Sequence, residues 1–314
     1  MKSFVRAVEL WIPDATGSAL EYRGGQYADD VEEFREVSEL AMFAYNEGLP
    51  GKAWAARRPV ILTDLFDSYF RRADEARLCG LTCGVALPVV AGDDVKAVLG
   101  LLCGDDGGGS VGAIELWHNK ADLSHEMTLV DGYYGAAAAF EFNSRHTSFP
   151  RGYGLPGRAW KAGAPVIIDH LGTTRQFLRA ADAAAAGIVS GLAIPYTTSP
   201  DETWVISLLS SAATPIARRF EIWRTDPARD ALVFESGACN TAADLGAAVS
   251  NGLISRDEGA IGQAWSSGLP VLSSDLKSDP SVSARAARKA GLKHMVVLPT
   301  FRGDRPEAMV VWYS

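Results

Sequence analysis

The chain has 314 residues, of which 47% are hydrophobic and 22% charged, the make-up of a folded globular protein and not of a disordered one. Its formal charge of −8 divides as −7 over residues 1–106 (eleven Lys and Arg against eighteen Asp and Glu), −2 over 107–212 (seven against nine) and +1 over 213–314 (twelve against eleven); no stretch carries the basic footprint that nucleic-acid phosphates require. No apolar run is long enough to cross a bilayer, residues 1–6 lead straight into the first strand with no room for a secretory peptide, and Cys79, Cys83, Cys103 and Cys239 are too unevenly spread for a disulfide framework, so a reducing, cytoplasmic setting without membrane contact is expected.

The first predicted element is a strand through Glu9-Leu10-Trp11, in which Val8, Leu10 and Ile12 face one way and Glu9 and Trp11 the other; this alternation predicts a half-buried strand. The same words return as Glu115-Leu116-Trp117 and Glu221-Ile222-Trp223, each 106 residues further on, and every later landmark recurs with them. A second apolar run at residues 20–23, 127–130 and 232–235 follows closely enough to make a hairpin with the first. A third run carries a matched serine, at Ser38, Ser144 and Ser250. Then comes a glycine-rich turn, Gly48-Leu49-Pro50-Gly51, repeated as Gly154-Leu155-Pro156-Gly157 and more loosely as Gly259-Ala260-Ile261-Gly262. It leads through a short helical turn bearing Trp54, Trp160 or Trp265 into the strand that opens at Pro59, Pro165 or Pro270. Residues 70–79, 177–186 and 283–290, rich in Ala and Arg, predict a helix stopped by Gly80, Gly187 and Gly291 at the left-handed C-terminal position. Strands over 84–90, 190–196 and 294–300, each with a proline (Pro88, Pro195, Pro299), and over 96–103, 203–209 and 307–312 close each unit.

A period this long marks repeated whole domains. Three are expected, at 1–106, 107–212 and 213–314, each an α+β domain with a mostly antiparallel sheet and helices on one face. The connections are short: residues 104–109 in one case, 210–215 in the other. Beads in a row is the leading arrangement. The alternative is strand exchange, in which each opening strand pairs with the preceding unit's closing strand and the three close a pseudo-three-fold ring.

The landmarks resemble the GAF family of small-molecule-binding and signalling domains. The resemblance rests on the Glu-x-Trp strand, the Gly-Leu-Pro-Gly block with Trp54, Pro59-Val60 followed by Asp64-Leu65, Arg72-Ala73 with Gly80, Val85-Ala86-Leu87-Pro88 and Val98-Leu99-Gly100-Leu101-Leu102. It covers the first two repeats along their whole length, and the third as a diverged copy. Such domains commonly sense ligands or dimerise while attached to a kinase, cyclase, phosphodiesterase or transcriptional output. This chain has no phosphate-binding loop, kinase or helix-turn-helix signature, so the resemblance implies a separate output partner, and a homodimer is among the assemblies it allows. The leading expectation is a non-catalytic sensor of an unidentified small organic ligand. A scaffold with pockets filled by side chains is the alternative, and a thiol-dependent reductase of the free methionine sulfoxide type comes third.

If the helix borders the pocket, as the resemblance implies, Arg72 and Arg179 are candidates to grip a ligand carboxylate or phosphate. Phe70 and Phe177 begin the same helices, and Trp11 and Trp117 are candidate aromatic lining. The structural alternative is a salt bridge within the repeat, for which Asp64 is the expected partner in the first repeat, Asp169 or His170 in the second, and Asp275, toward Arg285, in the third. The tryptophans equally suit a core, Trp54 and Trp160 most of all. Cys83 completes the candidate set, with Cys103, for thiol chemistry; buried apolar cysteines are the favoured reading. Scattered histidines predict no metal site. No cofactor is named by the sequence: the motif of cyclic-nucleotide GAF domains is missing, and Cys79 lacks the neighbouring His of a linear-tetrapyrrole site.

Overall fold

The structure, a computed structural model, describes residues 3–104, 109–241 and 245–314. The expected boundary at 106/107 lies outside the described residues. The first domain runs β1 (Val5–Pro13), β2 (Ala19–Tyr27), α1 (Phe34–Glu39), β3 (Met42–Ala44), α2 (Gly48–Ala56), β4 (Val60–Leu62), α3 (Ala73–Leu78), β5 (Leu81–Ala91) and β6 (Asp94–Gly104). The second repeats the plan with β7 (Val111–Lys120), β8 (Glu126–Gly135), α4 (Ala138–Arg145), β9 (Ser148–Pro150), α5 (Gly154–Ala162), β10 (Val166–Ile168), α6 (Ala180–Ala186), β11 (Ile188–Ser199) and β12 (Glu202–Ser211). The third does so with β13 (Arg219–Asp226), β14 (Ala231–Cys239), α7 (Leu245–Val249), β15 (Leu253–Ile254), α8 (Gly259–Ser267), β16 (Val271–Ser273), α9 (Val282–Lys289), β17 (Met295–Arg302) and β18 (Arg305–Tyr313). Each sheet has six strands, in the order β3-β2-β1-β6-β5-β4 and its two equivalents, antiparallel throughout. The α+β class with three like domains is what the repeat predicts.

Two local expectations are corrected. The run carrying Ser38 and Ser144 is helical, α1 and α4, and Ser250 directly follows α7; a periodicity of 3.6 in so short a segment is easily taken for a strand. The glycine-rich block is the first turn of a nine-residue helix in each domain. Its leading glycine sits at φ +58° in the first domain and +62° in the second, where a Cβ would come within 2.6 Å of Phe43 or 2.4 Å of Phe149. That is a structural demand for glycine, because L side chains strain at this φ and the aromatic ring leaves no room.

The opening strand is buried on both faces, not on one. Trp11, Leu20, Phe34, Phe43 and Leu102 pack under the helices of the first domain. The other face, with Val8, Leu10, Val85, Leu87 and Leu99, joins Ile114, Leu116, Leu192 and Ile206 of the second sheet and Phe220, Val296, Leu298 and Val310 of the third in a single core. The three sheets therefore stand back to back. At their margins β4 lies against β8, β10 against β13 and β14, and β16 against β2, which closes a pseudo-three-fold ring.

Strands are not exchanged among the described residues: β1 pairs with β6, β7 with β12 and β13 with β18, each within its own domain. The ring is closed by side-chain packing and a few polar links, including the Gln26 amide donating to the Ser273 and Met295 carbonyls and the Gly92 N–H donating to Gly303. Beads in a row is thus corrected. Apolar surface on the back of each sheet is the driving force, since leaving it wet would cost roughly 25 cal/mol per Å². Among the described residues no helix is long and apolar enough to cross a membrane.

Candidate functional site

The alternation of β1 turns Glu9 and Trp11 toward the helices, so a carboxylate enters an otherwise apolar interior. Glu9 is 1% exposed and Glu115 is fully buried. An isolated buried carboxylate is too costly to persist, so a cation must reach it. Arg72, at the residue preceding α3, supplies it: Nη1 donates to Glu9 Oε1 at 2.8 Å and Nη2 to Oε2 at 2.9 Å. Ser38 donates from α1 to Oε1 at 2.6 Å and Tyr27 from β2 at 3.1 Å. Burial, and then the Glu9 charge, hold the Tyr27 phenol far above its ordinary pKa, so it stays a donor. Rings of Phe34, Trp11, Phe70 and Phe43 surround the guanidinium, their centroids 4.7, 5.3, 5.3 and 5.6 Å from its carbon.

The second domain builds the same cluster. Arg179 reaches Glu115 at 2.5 and 2.8 Å through both ends of its fork and donates to Ser144. Phe140, Phe177, Trp117 and Phe149 surround it at 4.7, 5.2, 5.4 and 5.5 Å. Trp117 adds its indole N–H to Glu115 at 3.1 Å. The bidentate pair and the aromatic cage desolvate each cation and give it electrostatic partners at both ends of its fork, while Arg72 Nε and Arg179 Nε are buried without a hydrogen-bond partner.

The third domain keeps the carboxylate and changes the cation. Glu221 is fully buried, but its partner is Arg219, two residues earlier on the same strand, at the position that Ala7 and Ala113 hold in the other domains. Ser283, which hydrogen-bonds Tyr313, also donates to Glu221, as does Trp223. Arg285, the counterpart of Arg72 in the repeat, is exposed and donates to the Pro280 carbonyl.

The predicted residues divide into two sets. Trp11, Phe70 and Arg72 meet in one cluster, and Trp117, Phe177 and Arg179 in the other. Asp64, Asp169, His170 and Cys83 stand apart. The expectation that Asp64, or Asp169 or His170, pairs with the arginine is corrected: the partner is the glutamate of the opening strand. Asp64 instead accepts the Phe66 N–H at 2.8 Å, closing a local turn, and Asp169 accepts the N–H of His170 at 2.8 Å, with His170 largely exposed. Cys83 sits opposite Cys103 on the inter-sheet face, both fully buried, and burial pushes both thiols well above their ordinary pKa. A thiol so placed is a poor nucleophile. Trp11, Trp117 and Trp223 are fully buried, whereas Trp54 and Trp160 are only partly so.

Residues unassigned from sequence complete the clusters: Glu9, Glu115, Tyr27, Phe34, Phe43, Phe140 and Phe149. The signal for the glutamates was the recurring Glu-x-Trp, an acid in an apolar strand that returns with an arginine further on.

Residues 5–126 match the GAF domain family model. No curated protein matches the chain. Among solved structures, the free methionine-R-sulfoxide reductase of Neisseria meningitidis in complex with its substrate is 14% identical over 32% of this chain and 52% of its own, with a TM-score of 0.25. The GAF domain of a phosphoenolpyruvate-protein phosphotransferase from Acinetobacter is 15% identical over 32% and 56%, with a TM-score of 0.25. A GAF domain/HD domain protein from Geobacter sulfurreducens is 18% identical over 32% and 65%, with a TM-score of 0.28. The match thus spans between half and two thirds of each of these proteins.

Proposed function

We propose that this chain, whose residues 5–126 match the GAF domain family model and whose three sheets share one plan, is a non-catalytic regulatory scaffold. In it the interiors that GAF domains generally give to ligands are filled by protein side chains. The observation that carries this reading is the placement of Arg72 and Arg179. Each guanidinium occupies the aromatic cage, and both ends of its fork are committed to a glutamate of its own domain. A ligand carboxylate entering there would have to displace Glu9 or Glu115 and leave it buried without its cation.

The back-to-back core supports the same reading, since it fixes three domains as one rigid block and turns their helices outward. Leu40 and Leu78 in the first domain, 87% and 88% exposed, and Phe142 in the second remain uncovered on those outer faces, which suits contact with a separate output protein. The burial of Cys83 and Cys103 on the inter-sheet face weighs against the reductase alternative.

Hydrogen exchange across β1, α3, β7 and α6, read in the presence of a metabolite library, tests the proposal. No compound is expected to alter protection in these segments. A compound that protects them in the native protein and loses that effect in Arg72→Met or Arg179→Met would restore the sensor reading.

A further inference from the structure

The three strands that carry the repeated proline, β5, β11 and β17, converge where the ring closes, and a cleft of about 170 Å³ lies between them. Pro88, Pro195 and Pro299, at matched positions in the three domains, all line it. The lining is mixed: Val89, Ile194, Leu298 and Phe301 give it an apolar part, to which the prolines bring no N–H donor, and Arg57, Tyr196, Thr300 and Glu307 give it a polar one. The volume equals that of roughly five or six water molecules at about 30 Å³ each.

The pseudo-symmetry is broken by charge. Where the second and third domains place Gly163 and Gly268 at the left-handed residue after the helix, the first domain places Arg57, at φ +55°. An L side chain is strained in that region and glycine is not, so the sequence keeps an arginine where its own repeats show the relaxed choice. Arg57 lines the cleft. Nη2 donates to the Gly92 carbonyl at 2.7 Å and Nη1 lies 3.1 Å from the fully exposed Asp93, while Nε is buried with no hydrogen-bond partner. Tyr196, half-buried, lines the opposite domain's share, and burial raises its pKa, so its hydroxyl is a donor. The one acid in the lining, Glu307, is already held by Arg224 and Arg302.

We propose that this inter-domain cleft binds a small organic carboxylate, its anion taken by Arg57 and Tyr196 and its apolar body by the three prolines. A guest of this kind would touch all three domains at once and so bear on their packing. The site is separate from the filled domain interiors, and neither reading depends on the other.

Isothermal titration and saturation-transfer NMR with benzoate, and with benzamide as its neutral isostere, test the proposal on the full chain. Benzoate is expected to bind in the millimolar range or tighter and at least tenfold better than benzamide. Arg57→Gly, which installs the residue the other two domains already use, is expected to fold with undiminished thermal stability and to lose at least tenfold in benzoate affinity; Tyr196→Phe should weaken binding severalfold. Absence of benzoate binding at 20 mM, equal binding of benzamide, or unchanged affinity in Arg57→Gly would each overturn it. Hydrogen exchange separates this result from a domain-interior site, because benzoate should protect β5, β11 and β17 and leave α3 and α6 unchanged.

Discussion

Arg72→Met is the sharpest probe of the buried clusters. Met fills much of the same aromatic cage but leaves Glu9, 1% exposed, with only Ser38 and Tyr27 to solvate its charge. Removing one member of a buried, hydrogen-bonded ion pair costs about 3–5 kcal/mol. The thermal consequence depends on the unit that unfolds. With an unfolding entropy of about 2.1 cal/mol/K per residue, the whole 314-residue chain loses about 0.66 kcal/mol per degree, so a loss of about 4 kcal/mol lowers the midpoint by about 6 °C. If the first domain melted alone, the same loss over roughly 100 residues would shift its midpoint by about 19 °C. The shared core predicts the smaller figure, within one calorimetric transition. Glu9→Gln combined with Arg72→Met should be less destabilising than the sum of the single changes, by about 1–3 kcal/mol, because the neutral amide no longer needs the cation. A midpoint shift under about 1 °C for Arg72→Met, with additivity in the double variant, would refute the reasoning, since it would mean that the pair carries no net burden of burial.

Residues 109–212 expressed alone should associate or bind a hydrophobic dye, because Ile114, Leu116, Leu192, Ile206 and Leu208 lose the neighbouring sheets; a monodisperse, dye-silent monomer would contradict the shared core. Cys83 and Cys103 should resist a disulfide reagent until the protein unfolds, while the partly exposed Cys79 and Cys239 react in the native state, Cys79 slowed by the pKa that burial raises; rapid native labelling of Cys83 or Cys103 would contradict their burial. His294 has its pKa lowered, first by burial and then by Lys293. The unfolded chain takes up the proton near pH 6.5 and the folded chain only below it, so stability is full above about pH 6.5 and falls as pH drops through the folded value. The urea midpoint should decline between pH 7.5 and 5.5, and His294→Gln should flatten that slope.

Much of this architecture is legible from the chain because it rests on local rules. The glycines at 80, 187 and 291 stop helices as left-handed residues do, and the alternation of Val8, Leu10 and Trp11 assigned each to its face correctly. What lies on the far face is not a local property. Even so, a trace of it is present: Val98 to Cys103 is an almost unbroken apolar run, the pattern of a strand covered on both sides, whereas β2, with Glu21 and Arg23 exposed, is not. Reading those runs beside β1 would have predicted a second covering layer. The choice between strand exchange and packing was beyond reach, since both bury the same residues and differ only in hydrogen-bond partners.

The arginine's partner follows from burial and not from the place of an aspartate after the Pro-Val strand. Asp64, five residues after Pro59, is exposed, so water satisfies it and it exerts no pull on a cation. Glu9 does. The third domain makes the point, because there the helix position keeps its arginine, Arg285, yet that side chain lies at the surface. The buried carboxylate has recruited Arg219 from its own strand instead. Across three domains the invariant is therefore the acid in the sheet, and the cation is whichever arginine the local packing can bring to it. A buried charge dictates that some counter-charge be present and leaves its origin free. By that logic each Glu-x-Trp strand of this chain recruits an internal arginine, and the three do so by two different routes.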